Sequence, residues 1–268
     1  FKIPFYNAFI PNDKYLDSRY KTFIPYKNLW NHIHTGSMPE MADEKSDWDL
    51  FYRSYTKSYI ERDVRNLLNI KEISVFYKFM VALAARTGCL SNAADIANSI
   101  GVNLKTVQNW ISVLEASGII FFLRPYENNI LKRTIKTPKI YFHDTGLVCY
   151  LVGWDNPKVA QNGAMAGELF ENFVMSEIAK SYLNYGKDLR NLFFYRDSNQ
   201  KEIDLIILNE DRLFPIEIKK AAQVSLSMAK NFPTLKQLDN INMGTILCQC
   251  DKKMLLGENV RALPLDFV

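Results

Sequence analysis

From Trp48 onward, apolar and aromatic side chains recur three and four positions apart. Trp48, Phe51, Tyr52, Tyr55, Tyr59 and Val64 form one stripe, and Lys57, Glu61 and Arg65 form an i,i+4 charge ladder, a pattern that predicts a long amphipathic helix. A second stripe, Ile73, Phe76, Phe79, Met80, Leu83 and Ala84, predicts a helix over 72–86 that Thr87-Gly88 closes. Two shorter helices follow, over 93–100 and 104–117, with Asn92 and Asn103 as their caps and Gly101-Val102-Asn103 as the turn between them. After Gly118 the period changes. The apolar run 119–123 reads as a buried strand, 125–136 as a loop, and Lys139-Ile140-Tyr141-Phe142 as the returning strand.

Helix, turn, helix, then a two-stranded ribbon is the element order of a winged helix. Ahead of it, residues 1–46 show no periodicity and read as an irregular segment with a turn at Gly36-Ser37-Met38-Pro39. Behind it, Trp154-Asp155-Asn156-Pro157 reads as a linker. A long amphipathic helix is expected over 163–183, then strands over 191–196, 202–208 and 213–219, a helix near 225–238, and strands near 243–249 and 259–264. The predicted fold class is mixed α+β and α/β. Its domains are an irregular segment over 1–46, a helical winged-helix domain over 47–153 and an α/β domain over 160–268.

Composition narrows the picture a little. With 268 residues, 48% of them hydrophobic and 23% charged, the chain is long enough for one or two packed cores and is not compositionally disordered. A net charge of +4 is compatible with a nucleic-acid partner without requiring one. The four cysteines are Cys89, Cys149, Cys248 and Cys250, and the three histidines are His32, His34 and His143. Their spacing suggests neither a zinc site nor a disulfide framework, which points to a reducing cytoplasm. No apolar run reaches the length of a membrane span. The chain opens on Phe1 inside patterned sequence, so a longer parent protein is expected.

The chemistry lies in the C-terminal part. Carboxylates interrupt two β-prone runs, Glu202-Ile203-Asp204-Leu205-Ile206-Ile207-Leu208 and Leu213-Phe214-Pro215-Ile216-Glu217-Ile218-Lys219. Strand period two puts Glu217 and Lys219 on one face. A hairpin turning symmetrically over 209–212 sets Asp204 directly opposite Glu217, with Cβ atoms roughly 5 Å apart. Two carboxylates that close recruit a cation or raise a pKa. Mg²⁺ or Mn²⁺ suits such hard oxygen ligands, and Lys219 supplies a compact charge for a phosphate or an attacking water. Glu171, on the preceding helix one turn after Gly167, is a third candidate ligand, with Gly167 allowing close packing. The competing reading is a solvated strand face in which Glu202 pairs with Lys219. Pro215 fits best at the start of its strand, because it forfeits a ladder hydrogen bond.

The arrangement of Asp204, Glu217 and Lys219 after a helical Glu171 resembles the PD-(D/E)XK phosphodiesterase fold. That resemblance implies Asp204, Glu217 and Glu171 as metal ligands, and Lys219, Glu217 and Asp204 as the catalytic set. Ile203 stands where the motif's proline would be. Motifs along the whole chain, among them Tyr59-Ile60-Glu61-Arg62-Asp63-Val64-Arg65, Ala85-Arg86-Thr87-Gly88, Phe142-His143-Asp144-Thr145-Gly146 and Gly167-Glu168-Leu169-Phe170-Glu171-Asn172-Phe173, resemble bacterial and archaeal AAA-type ATPases that end in a DUF4143-like domain of unknown function. The resemblance implies an ATP-binding module upstream, joined near Gly36-Ser37-Met38-Pro39-Glu40. This chain carries no Walker A loop, since Gly186-Lys187 has Ser181 and Asp188 at the flanking positions. ATP would therefore bind only through the other module, where Arg62 and Arg65 could reach it in trans. The plainer reading of both arginines is an exposed ion-pair ladder.

On the helix over 104–117, Val107, Trp110, Ile111 and Leu114 form the buried face. Lys105, Gln108 and Asn109, with Thr106 and Ser112, are left to reach phosphates and base edges. The wing carries Arg124, Lys132, Arg133, Lys136 and Lys139 against only Glu127, a distribution suited to DNA. Three functions remain open. The first is the effector part of an ATPase that binds nucleic acid and holds a Mg²⁺-dependent phosphodiesterase site. The second is a catalytically inactive DNA- or protein-binding module, and the third is a regulatory lid of the ATPase. A homo-oligomer is compatible with all three.

Overall fold

The computed structural model describes residues 7–22, 25–43, 45–59, 73–127, 136–235 and 240–268. The chain is mixed α+β, as the pattern predicts. In chain order its helices are α1 (Asp13–Tyr20), α2 (Leu29–Thr35), α3 (Trp48–Ser58), α4 (Ile73–Ala84), α5 (Ala93–Ile100), α6 (Leu104–Ala116), α7 (Thr145–Leu151), α8 (Pro157–Asn162) and α9 (Ala166–Asn184). The strands are β1 (Ile120–Pro125), β2 (Lys139–Phe142), β3 (Leu192–Arg196), β4 (Glu202–Asn209), β5 (Arg212–Lys219), β6 (Gly244–Cys248), β7 (Met254–Gly257) and β8 (Val260–Pro264). The described residues divide into two compact units interleaved along the sequence. One draws on 1–26, 123–138 and 174–268, the other on 27–122 and 139–173.

The first unit is built on a mixed sheet. From the end of β1 its order runs β1-β3-β4-β5-β6-β8-β7. The central β3, β4 and β5 are antiparallel neighbours, while β5, β6 and β8 run parallel. The hairpin β4–β5 turns over Glu210-Asp211, with Glu210 in the left-handed region at φ 57°. Its pairs run from Asn209↔Arg212 to Leu205↔Ile216, which is the register expected from the sequence. Pro215 departs from expectation, lying in the middle of β5 opposite Ile206. Leu213 exchanges hydrogen bonds with Asn240 and Asn242, and the β6 ladder opens only at Ile216↔Thr245. Backbone groups alternate in direction, so the missing N–H of Pro215 faces the gap between those two stretches.

One further expectation fails in this unit, and one strand was not foreseen. The helix near 225–238 is replaced, within the described residues, by two 3₁₀ turns, Leu226–Ala229 and Phe232–Leu235. Pro233 explains the break, since it removes a helical donor and clashes with the preceding turn. The short edge strand β7 was not anticipated. Four residues, Met254-Leu255-Leu256-Gly257, are too few to show a period.

The second unit is mainly helical. The caps Asn92 and Asn103 accept from the N–H groups of Asp95 (3.0 Å) and Thr106 (2.8 Å), as read from the sequence. Phe76 and Phe79 of α4 pack on Trp110 of α6 with ring centroids 5.2 Å apart in each pair. Val107, Trp110, Ile111 and Leu114 are buried, the face predicted for them. An antiparallel bridge joins Leu90, just before α5, to Lys139 in β2.

The described residues among the first 46 are not irregular: they hold α1, α2 and a 3₁₀ turn at Pro39–Ala42. Helices of 8 and 7 residues span about two turns, too short for a readable stripe. In place of a plain linker at 154–157, Asn156 caps α8. Gly36, at φ +82°, sits against the Tyr52 hydroxyl and the Asp144 carboxylate, leaving no room for a Cβ. Asp144 is buried and accepts from the Ser37 N–H (2.7 Å), the Tyr52 hydroxyl (2.6 Å) and the Leu147 N–H (2.7 Å). This knot fixes the Gly36-Ser37 turn onto α3 and the start of α7. The continuation of the α3 stripe to Val64, and the ladder through Glu61 and Arg65, lie outside the described residues.

Candidate functional site

Asp204, Glu217 and Lys219 meet in the sheet unit. The observed register, extended one step beyond Leu205↔Ile216, sets Asp204 opposite Glu217. Lys219 Nζ lies 2.6 Å from Glu217 Oε2 and 3.2 Å from Asp204 Oδ2. Asp204 Oδ2 also accepts the backbone N–H of Ile218 at 2.7 Å, which fixes that carboxylate against β5. Lys219 therefore does not pair with Glu202, whose carboxylate instead reaches Arg196 at 3.7 Å.

Glu217 is the buried member, its side chain 4% exposed. Its register partner in β6 is Ile246 and that of Lys219 is Cys248. Both belong to an apolar cluster with Ala229, Cys250, Val260 and Ala262. This surface withholds water from the carboxylate. Burial raises the Glu217 pKa to about 8; the charge of Asp204 adds to the rise, and Lys219 opposes it. One oxygen of Glu217, Oε1, is buried with no hydrogen-bond partner. An orphaned carboxylate oxygen is costly and calls for an explanation.

A hard divalent cation fits the chemistry of this donor set, because two carboxylates share one face and one oxygen lacks a partner. Among the described residues, no group of three or more His, Cys, Asp or Glu side chains is arranged as a ready metal cluster. Glu171, on α9, belongs to the helical unit. There its Oε1 accepts from the Tyr141 hydroxyl (2.5 Å) and from Lys139 Nζ (3.2 Å). Beside it, Asn172 is fully buried and binds both the N–H (2.8 Å) and the C=O (3.0 Å) of Phe142. Gly167 is not a close-packing position, because a Cβ there would meet nothing among the described residues.

Two family models cover most of this chain. Residues 166–268 match the Domain of unknown function DUF4143. The DUF4143 span includes α9 and every strand from β3 to β8, and so holds Asp204, Glu217 and Lys219. Residues 26–158 match a second family model, the Domain of unknown function DUF8612, which takes in α2 through α7 and the β1–β2 ribbon. Two curated relatives, the uncharacterized proteins Rv2008c of Mycobacterium tuberculosis and Mb2031c of Mycobacterium bovis, are each 26% identical over 239 residues. That is 89% of this chain and 52% of each relative, so the chain spans about half the length of the curated relatives it matches.

Ahead of the DUF4143 span, Lys105, Gln108 and Asn109 are exposed on α6, as expected. Lys136 is ion-paired with Glu127. Lys139, counted among the basic wing residues, is instead buried against Glu171. Its placement in β2 beside the Leu90 bridge takes it out of the loop. Lys132, Arg133, Arg62 and Arg65 lie outside the described residues. Sequence reasoning missed the Ile218 N–H that holds Asp204, because a main-chain donor leaves no mark in the residue types. It also missed the Asp144 knot, whose only trace is Gly36-Ser37 beside a capping Asp-x-x-Leu. No described helix is long and apolar enough to cross a membrane, and all four cysteines are free thiols.

Proposed function

We propose that residues 166–268 carry a divalent-cation-dependent phosphodiesterase site of the PD-(D/E)XK kind, acting on nucleic acid. The observation that carries this reading is the buried, unpartnered Glu217 Oε1 beside Asp204 and Lys219. Asp204 and Glu217 would hold Mg²⁺ or Mn²⁺, which when bound neutralises charge developing on a phosphodiester oxygen. Asp204 is already oriented by the Ile218 N–H. Lys219, one-third exposed, can turn its ammonium toward a phosphate or a water at the same face.

The helical unit supports a nucleic-acid role for the same chain. Its order of helix, bridge strand, helix, helix and ribbon is compatible with a winged helix. We read Lys105, Gln108 and Asn109 on α6 as a surface that meets DNA, and Lys136, in the β1–β2 connection, as a separate phosphate contact. Lys105→Ala and Lys136→Ala should each weaken binding across all sequences and reduce the salt slope by about one per lost phosphate contact. The longer relatives leave room for another module, and we place ATP binding there, with Arg62 and Arg65 reaching the nucleotide. This chain alone should then bind ATP no better than a control protein.

The deciding experiment incubates labelled DNA and RNA with the protein, with and without Mg²⁺, Mn²⁺ and ATP. Cleavage should require the cation and vanish in Asp204→Ala and Lys219→Met. Cation-independent cleavage, or none with the longer protein, would overturn the catalytic reading. A second reading, a nuclease-like fold that grips nucleic acid without cutting, is favoured by the lack of a third clustered ligand among the described residues.

A further inference from the structure

We propose that Lys219 is a built-in competitor for the cation: its ammonium holds Asp204 and Glu217 in a self-neutralised resting site and must leave Glu217 before a divalent cation binds. This inference rests on the metal-site reading above and adds its regulation.

Lys219 Nζ sits within 2.6 Å of Glu217 Oε2 and 3.2 Å of Asp204 Oδ2, the position a cation shared by both carboxylates would take. A purely structural ion pair of this depth is expected to satisfy both oxygens of its buried acid. Here Glu217 Oε1 stays buried without a partner, so the single ammonium does not complete the site. The two carboxylates are also held differently. Asp204 also accepts the Ile218 N–H at 2.7 Å, a main-chain contact that does not involve Lys219. Glu217 depends on Lys219 for the hydrogen bond donated to its Oε2. The lysine side chain is 33% exposed against 4% for Glu217, so the ammonium can withdraw toward solvent on its flexible stem while both acids stay in place. The event that admits the cation would thus be the one that frees the ammonium for a phosphate. The order of assembly is fixed, with cation entry first and lysine engagement second.

Calorimetric titration with MnCl₂ at constant ionic strength tests this on the wild type, Lys219→Met, Lys219→Gln, Lys219→Arg and Glu217→Gln, each checked for folding by circular dichroism. Competition is a negative coupling between two cations, so removing the ammonium should tighten Mn²⁺ binding roughly ten-fold. Either neutral variant suffices, in case the other fails to fold. Lys219→Arg should bind no more tightly than the wild type, and Glu217→Gln should lose binding. Equal or weaker affinity in the folded neutral variants, with the wild type binding, overturns the competitor role and leaves the metal site standing. No binding by the wild type or by either neutral variant sinks the metal reading, and this inference with it.

Discussion

Two buried lysine–glutamate pairs, one in each unit, are built in opposite senses. In the helical unit the lysine is the deeper member: the Lys139 side chain is 5% exposed and Glu171 17%. In the sheet unit the acid is deeper: Glu217 is 4% exposed and Lys219 33%. Glu171 offers one oxygen to two donors, Lys139 and Tyr141, and leaves no buried atom unpartnered. Glu217 faces a second carboxylate and keeps an orphaned oxygen. The first pair anchors β2 to α9. The second stores an unmet demand for positive charge, which is what a ligand site requires and a structural bridge avoids.

The comparison is open to direct attack. Glu171→Ala leaves Lys139 charged and uncompensated, and should cost about 3–5 kcal/mol in urea unfolding. A loss below about 1 kcal/mol, the level of an exposed pair, would show that Lys139 finds water and that the pair is not structural. Next in size is the cation response. Mn²⁺ at a hundred-fold excess over its Kd should stabilise the wild type by about 2.7 kcal/mol. Asp204→Ala should show no shift in Tm, and equal shifts in both proteins would remove the metal site. Tyr141→Phe deletes one charge-assisted hydrogen bond to Glu171 and should cost about 2 kcal/mol, with no change in the Mn²⁺ response.

The smallest effect concerns pH. The folded pKa of Glu217 is raised above its ordinary value of 4.5 to about 8, so between those values the folded state holds a proton that the unfolded state has lost. This group therefore makes the protein less stable as pH rises through that window. Glu217→Gln should flatten the decline and gain about 1 kcal/mol over the wild type at pH 8.5. A variant that loses stability at pH 8.5 would mean that the ionised carboxylate is already well satisfied by Lys219.

Much of this was legible in the residues. The helices α5 and α6 were readable because Asn92, Gly101, Asn103 and Gly118 mark their ends, and in α6 the stripe Val107, Trp110, Ile111 and Leu114 lies between. The register of β4 with β5 followed from two β-prone runs and a short turn, both local features. The helices α1, α2 and α8 were not readable, being too short for periodicity. The stretch 225–238 was read as one helix, and Pro233 breaks it into two 3₁₀ turns. Lys139 was assigned to a basic wing by its neighbours in sequence, whereas its partner Glu171 is 32 residues away.

By itself, the sequence determined that Asp204, Glu217 and Lys219 lie on adjacent strands with both acids in register, because a hairpin closes over a few residues and strand alternation does the rest. Only the tertiary structure decided which acid is buried, which lysine each glutamate keeps, and which oxygen is left without a partner. Those outcomes depend on the apolar cluster around Ile246 and Cys248 and on α9, segments distant in the chain. Desolvation is set by whatever packs against a group, and no local pattern of residue types records that.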